Sequence, residues 1–246
     1  MRSMQATQTR KLSESVSSQP DTTTARLLKR ADLAGHPATV LKDEGDGAAR
    51  LSRHDLPDGS VVLKEWAPRG RLMRLWARML MRREIRHYRL LAGTPGIPGY
   101  RGHEGDTVLL IDYVDGQPIR RQLPRELLLP GLDDLERVLQ AVHARRFVHL
   151  DLHQKLNALI DGRGRAWLVD LGQGLDCSKG LLRGLLFPAL ARVDRNALLK
   201  FRARYAPDTF DPAARARLVA RHGPRRDRWA KRVGRALRRL AARDAD

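Results

Sequence analysis

The sequence has little cysteine, few aromatic residues and no long apolar run. Cys177 is the single cysteine among 246 residues, which excludes an intramolecular disulfide framework and a zinc site built from cysteines. No run of 18 apolar residues occurs and no secretory apolar region follows Met1, so we expect no membrane-spanning helix. These absences favour a protein of a reducing compartment, and we expect a cytoplasmic location.

Acidic residues are also scarce relative to basic ones. The chain has 28 acidic and 47 basic residues, a net charge of +19, which indicates an anionic partner such as nucleic acid, a membrane surface or a phosphorylated substrate. An arginine-, alanine- and leucine-rich composition can also reflect GC-rich coding, so charge alone leaves that alternative open. The sequence shows neither aromatic interleaving nor a groove-binding motif, which disfavours nucleic acid.

Composition divides the chain into four segments. Residues 1–24 are rich in Ser, Thr and Gln and are predicted to be a disordered tail. Residues 25–114 carry most of the strand patterns and one long helix, and residues 115–210 are predicted to be compact and mainly helical. Residues 211–246 predict a basic amphipathic helix. Its apolar face consists of four side chains: Trp229, Val233, Leu237 and Leu240.

The clearest strand signal is a hairpin. Residues 51–56 and 60–66 read as two strands joined by Pro57-Asp58-Gly59, a turn sequence. Further strands are predicted at residues 38–41 and 107–114.

Helices are predicted from apolar residues at helical spacing. The pattern predicts helices over residues 72–91, 132–144 and 194–204, and a short helix could form over residues 24–35. Residues 180–190 are strongly apolar, but glycines and Pro188 are expected to break them.

Polar residues that suit a base beside a magnesium site are concentrated near the middle of the chain. An apolar strand end places His149 and Asp151 in a loop that Asn157 closes. A hairpin through Asp161-Gly162 then returns the chain to Asp170. Two carboxylates and an amide therefore meet at one end of a hairpin, and oxygen ligands of this kind are those that magnesium prefers.

These residues resemble the protein-kinase-like superfamily. His149-x-Asp151-Leu152 resembles the H-R-D-L catalytic loop, and Asp170-Leu171-Gly172 resembles D-F-G. The resemblance implies an α+β, two-lobed fold: a small, mainly antiparallel β N-lobe with one long helix, and a compact, mainly helical C-lobe. It implies ATP and Mg²⁺ as cofactors, Asp151 as the base with His149 bracing its loop, and Asn157 and Asp170 as magnesium ligands.

The same resemblance implies the nucleotide-binding residues. Val61-Val62-Leu63-Lys64 resembles the V-A-I-K strand, and Glu84, twenty residues later, suits the ion pair that orients the lysine. Gly45-Asp46-Gly47 partly matches a glycine-rich loop, although an ordinary acidic turn fits equally well. Tyr113 and Val114 adjoin the connector between the lobes and complete the nucleotide-binding set.

Departures from the pattern bear on the substrate. Asn157 follows Asp151 by six residues rather than five, Leu171 replaces phenylalanine, Arg50 stands at the third loop glycine, and no A-P-E motif follows Gly172. The sequence resembles the bacterial lipopolysaccharide core sugar (heptose or Kdo) kinases. An anionic glycolipid acceptor and peripheral contact with the cytoplasmic membrane face are then implied. Alternatives are an atypical Ser/Thr protein kinase, a soluble small-molecule kinase, and a pseudokinase or basic binding scaffold.

An anionic membrane would also suit three basic or apolar segments. The arginine-rich helix, residues 180–190 and the C-terminal helix could together form a docking face. The alternative is that residues 180–190 are a core segment and that the two helices have ordinary solvated faces.

Overall fold

A computed structural model describes most of the central part of the chain. The described residues are 26–43, 45, 48–68, 70–120, 122–152, 156–209 and 213. The predicted disordered tail, residues 1–24, and the predicted C-terminal helix, residues 211–246, lie outside them apart from Ala213.

Five antiparallel strands form the larger sheet, in the order β1-β2-β3-β5-β4. The strands are β1 (Ala38–Lys42), β2 (Arg50–Leu56), β3 (Gly59–Glu65), β4 (Tyr100–Glu104) and β5 (Val108–Asp112). The predicted strands at 38–41 and 107–114 and the predicted hairpin are confirmed. Strand β4 was not predicted.

The central strand β3 has two different faces because side chains alternate along a strand. Val61 and Leu63 pack in a cluster beneath the sheet with Leu28 and Leu110. Val62 belongs instead to the main core on the opposite side of β3. Lys64 is two residues beyond Val62, so its side chain leaves the sheet on the core side.

Helix α1 (Arg71–Leu90) agrees with the predicted helix within one residue at each end. Met81, Ile85 and Tyr88 recur at the spacing of one helix face and are buried in the main core. Glu84 lies on this same face and is also buried. The packing of three apolar side chains thus fixes where the carboxylate of Glu84 points.

Two small sheets and two helices form the rest of the described chain. Their elements are β6 (Gly116–Pro118), α2 (Arg125–Ala144), β7 (Phe147–Val148), β8 (Ala158–Asp161), β9 (Ala166–Leu168), β10 (Leu175–Asp176) and α3 (Leu181–Tyr205). Strands β6, β8 and β9 form one antiparallel sheet, and β7 and β10 form another. The predicted hairpin that leads to Asp170 is confirmed as β8–β9.

Three helix predictions need correction. Helix α2 begins seven residues before the predicted start at residue 132, and Pro130 lies inside it. Helix α3 begins at Leu181 rather than 194, so residues 181–190 are helical despite Gly184 and Pro188. Residues 30–33 form one 3-10 turn in place of the longer N-terminal helix.

One hydrophobic cluster joins the larger sheet to the helices. It contains Met81 and Leu109 from the first half together with Leu132, Phe147 and Phe201 from the second. The α+β class with antiparallel strands is confirmed. Within the part of the chain that the structure describes, no helix is both long enough and apolar enough to cross a bilayer.

Candidate active site

A cleft of about 490 Å³ is lined by the larger sheet, by α1 and by residues between 156 and 173. Leu51, Val62 and Ile111 supply apolar wall from the sheet, and Leu159 supplies it from β8. Lys64, Glu84, Asn157 and Asp170 supply polar groups. With Tyr113 and Val114, which also line the cleft, six of the predicted site residues therefore share one cavity.

Lys64 joins two carboxylates in this cleft. Its Nζ donates to Glu84 Oε1 at 2.8 Å and Oε2 at 2.7 Å, and to Asp170 Oδ1 at 3.2 Å. The Lys64 and Glu84 side chains are only 15% and 6% exposed, whereas that of Asp170 is 49% exposed. The predicted ion pair is present, and Lys64 also contacts the aspartate of the D-F-G-like motif.

The charges of Lys64, Glu84 and Asp170 act on one another and determine the protonation states of Lys64 and Asp170. Burial alone would lower the pKa of Lys64, but the carboxylates of Glu84 and Asp170 outweigh burial and raise it. The Lys64 ammonium lowers the pKa of Asp170. At neutral pH the cleft therefore contains an ammonium beside an ionised and partly exposed carboxylate.

Helix α1 also holds the segment that follows Asp170. His87 Nδ1 lies 2.8 Å from the carbonyl oxygen of Leu171, and an Arg83 guanidinium nitrogen donates to the carbonyl oxygen of Gly172. A Cβ at Gly172 would lie 3.4 Å from both Asp170 Oδ1 and Glu84 Oε2. The helix that carries Glu84 is thus bonded to the turn that carries Asp170.

Asp194, in α3, holds the loop before Asp151. Its side chain is fully buried, and its two oxygens accept the backbone N–H groups of His149 and Leu150, each at 2.8 Å. His143 Nε2 lies 3.1 Å from Asp194 Oδ2. The anchored loop includes Leu150 in a left-handed conformation, φ 63°. The sequence analysis missed this role. The available signal was an acidic residue on the apolar face of a helix.

His149 braces the loop from the other side. Its ring is buried, and Nε2 lies 3.0 Å from the carbonyl oxygen of Val169, next to Asp170. This contact fits the predicted bracing role, because it ties the loop of Asp151 to the strand end that presents Asp170.

Asn157 connects Asp151 to the cleft. Its Nδ2 donates to the backbone oxygen of Asp151 at 3.1 Å and to Asp151 Oδ2 at 3.3 Å. Its backbone oxygen accepts the N–H of Val169 at 3.0 Å. Asp151 does not line the cleft itself, and residues 153–155 of its loop lie outside the described residues.

The donor atoms fit a magnesium ion. The described residues contain no group of three or more His, Cys, Asp or Glu side chains that could hold a metal. A carboxylate from Asp170 and the Oδ1 atom of Asn157 are, however, hard oxygen donors. Magnesium typically takes one or two such protein ligands and completes its shell with phosphate oxygens and water.

The remaining predicted nucleotide-binding residues differ in position. Tyr113 and Val114 line the cleft. Gly45 does not line it and is exposed on a turn with φ 75°, whereas Gly47 lies outside the described residues. Lys42 and Arg83 line the cleft but were not predicted as site residues. The cleft therefore has more cationic groups than the motifs alone indicated.

No family model matches this chain, and no match was found among curated proteins. The assignment of a function consequently depends on the residues of the site and their geometry.

Proposed function

We propose that this protein is an ATP-dependent phosphotransferase with a two-lobed protein-kinase-like fold. The observation that carries the proposal is the contact of Lys64 with both Glu84 and Asp170 in one cleft. In this interpretation residues 25–114 are the smaller lobe and residues 115–210 the larger one, and the cleft separates them.

The cleft suits a nucleotide. Its volume of about 490 Å³ falls in the range of roughly 300–1,000 Å³ typical of small-molecule sites. Leu51, Ile111 and Leu159 would enclose the base, near the backbone of Tyr113 and Val114. The Lys64 ammonium, held by Glu84, would contact the phosphates.

The chemistry requires positioning and neutralisation of charge more than covalent catalysis. Asp170 and Asn157 would hold magnesium, which would neutralise phosphate charge. Asp151 aligns the acceptor hydroxyl and accepts its proton as the hydroxyl oxygen bonds to the γ-phosphorus. The bond between that phosphorus and the bridging oxygen breaks, and ADP leaves. Asp194 and His149 hold the backbone on which Asp151 sits.

For the acceptor we propose a sugar hydroxyl of the lipopolysaccharide inner core, reached at the cytoplasmic membrane face. The support is the sequence resemblance together with the net charge of +19, which suits an anionic glycolipid.

The test is phosphate transfer from γ-labelled ATP, with magnesium, to a lipopolysaccharide precursor that lacks core phosphate. A generic protein substrate runs in parallel. Asp151→Asn should abolish transfer and retain nucleotide binding. Asp133→Asn is the matched control, because Asp133 is exposed on α2 and pairs with Arg202 at 2.6 Å, outside the cleft lining.

The result identifies the acceptor class as well as the activity. Label in the glycolipid that disappears in Asp151→Asn but persists in Asp133→Asn supports a core-sugar kinase. Label in protein alone supports a protein kinase instead. ATP binding without any transfer supports a soluble acceptor or a scaffold. Transfer that is unchanged in Asp151→Asn overturns the assignment of the base.

A further inference from the structure

The first turns of α1 expose several large apolar side chains. All six residues of 71–76 are exposed, including Leu72 at 84%, Met73 at 44%, Leu75 at 68% and Trp76 at 50%. Ala77 is the first residue of the helix whose side chain is buried. The start of α1 therefore projects apolar side chains that the described fold does not cover.

Arginines accompany these apolar side chains. Arg71, Arg74 and Arg78 are exposed on the same turns, and the helix has no acidic residue before Glu84. Arg82, one turn further along, pairs with Asp106 at 2.7 Å. The projecting segment thus combines apolar side chains with positive charge and no negative charge of its own.

We propose that this segment, residues 71–78, is an interfacial helix that binds the surface of an anionic lipid bilayer. In that setting the leucines and Trp76 enter the boundary between headgroups and acyl chains. The arginines reach the lipid phosphates, because their long side chains place the guanidinium group in the polar layer. Trp76 has the amphipathic ring that favours this boundary.

Charge argues against two other occupants of this surface. A second copy of the chain would bring another net charge of +19, and the C-terminal residues 211–246 are themselves strongly basic. Either could cover the leucines but would also bring arginines close to arginines. Nucleic acid would satisfy the arginines but would leave the leucines without an apolar environment. An anionic bilayer satisfies both kinds of side chain.

The position of the segment links it to the cleft. Trp76 and Glu84 are eight residues apart on one helix, which corresponds to about 12 Å along its axis. Binding of residues 71–78 to a bilayer would therefore hold the cleft close to the membrane surface. Bilayer binding itself does not depend on the proposed function. The inference rests on that function only to explain what the binding achieves, since a kinase held there reaches a lipid-anchored hydroxyl.

The test is binding of the full chain to lipid vesicles in the absence of ATP. Vesicles of phosphatidylcholine alone are compared with vesicles that also contain phosphatidylglycerol, across a salt series. The variant is Leu72→Ser, Leu75→Ser and Trp76→Ser together, all at exposed positions. The matched control is Leu181→Ser, Leu182→Ser and Leu185→Ser, three exposed apolar positions at the start of α3.

We expect the wild type to bind the anionic vesicles, and the α1 variant to bind them about tenfold more weakly or worse, since its apolar contacts are lost. The α3 variant should retain most of the affinity. Nucleotide binding should be equal in all three proteins, which shows that the variants are folded.

Two results would overturn the inference. One is vesicle binding that is unchanged in the α1 variant, which would assign binding to another basic segment. The other is retention on DNA without binding to vesicles. The proposed function fails separately: a protein that binds vesicles through α1 but transfers no phosphate would keep the inference and refute the kinase assignment.

Discussion

At the scale of single residues, Lys64 holds the site together. It is a nearly buried cation between a buried carboxylate and a partly exposed one. Removing one member of a buried ion pair leaves the other charge without compensation, whereas replacing both members by apolar residues is often neutral. The pair Lys64–Glu84 should therefore behave differently when one residue or both are changed.

We predict that Lys64→Met lowers the free energy of unfolding by about 3 kcal/mol, because Glu84 stays buried without its counter-ion. Glu84→Met on the same background should recover most of that loss but none of the phosphate transfer. Urea unfolding and the transfer assay measure the two properties. If the double variant is less stable than Lys64→Met, the argument from an uncompensated charge is wrong.

Asp194 provides a second test, as a positioning residue. In Asp194→Asn one acceptor oxygen becomes an NH₂ group, so one of the two loop N–H groups loses its partner. A buried donor without a partner costs about 1–3 kcal/mol of stability. We expect kcat to fall while KM for ATP stays unchanged, because Asp194 contacts the loop and not the cleft.

Steady-state kinetics and urea unfolding of Asp194→Asn measure these effects, with Asp133→Asn as the exposed control. A rise in KM for ATP with unchanged kcat would contradict the positioning role.

The sequence could identify site residues where a motif places them a fixed distance apart. The resemblance of Val61-Val62-Leu63-Lys64 to V-A-I-K, with Glu84 twenty residues later, implied the ion pair of Lys64 and Glu84. The sequence could not identify Asp194, because its side chain reaches its partners, 44 and 45 residues away, only after α3 packs against the loop. Tertiary contacts of this kind leave no local pattern.

At the scale of elements, prediction worked where burial was periodic. Helix α1 is clear because Met81, Ile85 and Tyr88 recur on one buried face. The β2–β3 hairpin is clear because Pro57-Asp58-Gly59 marks its turn and β3 is buried from Val61 to Leu63. Residues 181–189 of α3 show no such pattern, since Leu181, Leu182 and Leu185 are exposed and only Leu186 and Phe187, both partly buried, pack against a core cluster before Leu190. Pro188 has no backbone N–H, so the carbonyl oxygen of Gly184, four residues earlier, lacks its helical partner. Gly184 is partly exposed, so water can reach this oxygen.

Two helical glycines give opposite predictions. A Cβ at Gly131 of α2 would lie 2.4 Å from Ile160 Cδ1, so Gly131→Ala should lower the free energy of unfolding by about 1–3 kcal/mol through overpacking. Gly184 of α3 has no atom within 4 Å of such a Cβ. Gly184→Ala should raise stability by up to about 1 kcal/mol, since alanine favours a helix.

Urea unfolding of the two variants side by side tests the packing of α2 against β8. Equal effects of the two substitutions would mean that α2 and β8 do not pack as described.

At the scale of the whole molecule, His87 joins the two halves. It extends from α1, which packs on the larger sheet, to the carbonyl oxygen of Leu171, and its ring meets Phe147 edge to face with centroids 4.9 Å apart. Both partners, Phe147 and Leu171, belong to the main hydrophobic core that joins the larger sheet to the helices. A change in the charge of His87 should therefore affect the stability of the entire described fold.

Burial lowers the pKa of His87 to about 4, and nearby Arg83 and Arg86 act in the same direction, against the Leu171 carbonyl and Asp176. In the unfolded chain the pKa of histidine is about 6.5. Between these values the unfolded state binds the proton and the folded state does not. The contribution of His87 to stability is thus complete above pH 6.5 and is lost as the pH falls toward 4, by about 3 kcal/mol in total.

His87→Gln keeps a polar side chain at this position but does not titrate there. The free energy of unfolding of the wild type should therefore fall more steeply than that of His87→Gln as the pH is lowered from 7 to 4.5. Carboxylates such as Glu84 titrate in both proteins, so the difference between the two curves isolates the histidine. Parallel curves would show that His87 is not buried as a neutral ring between α1 and Leu171, and the link between the two halves would have to lie in the apolar core alone.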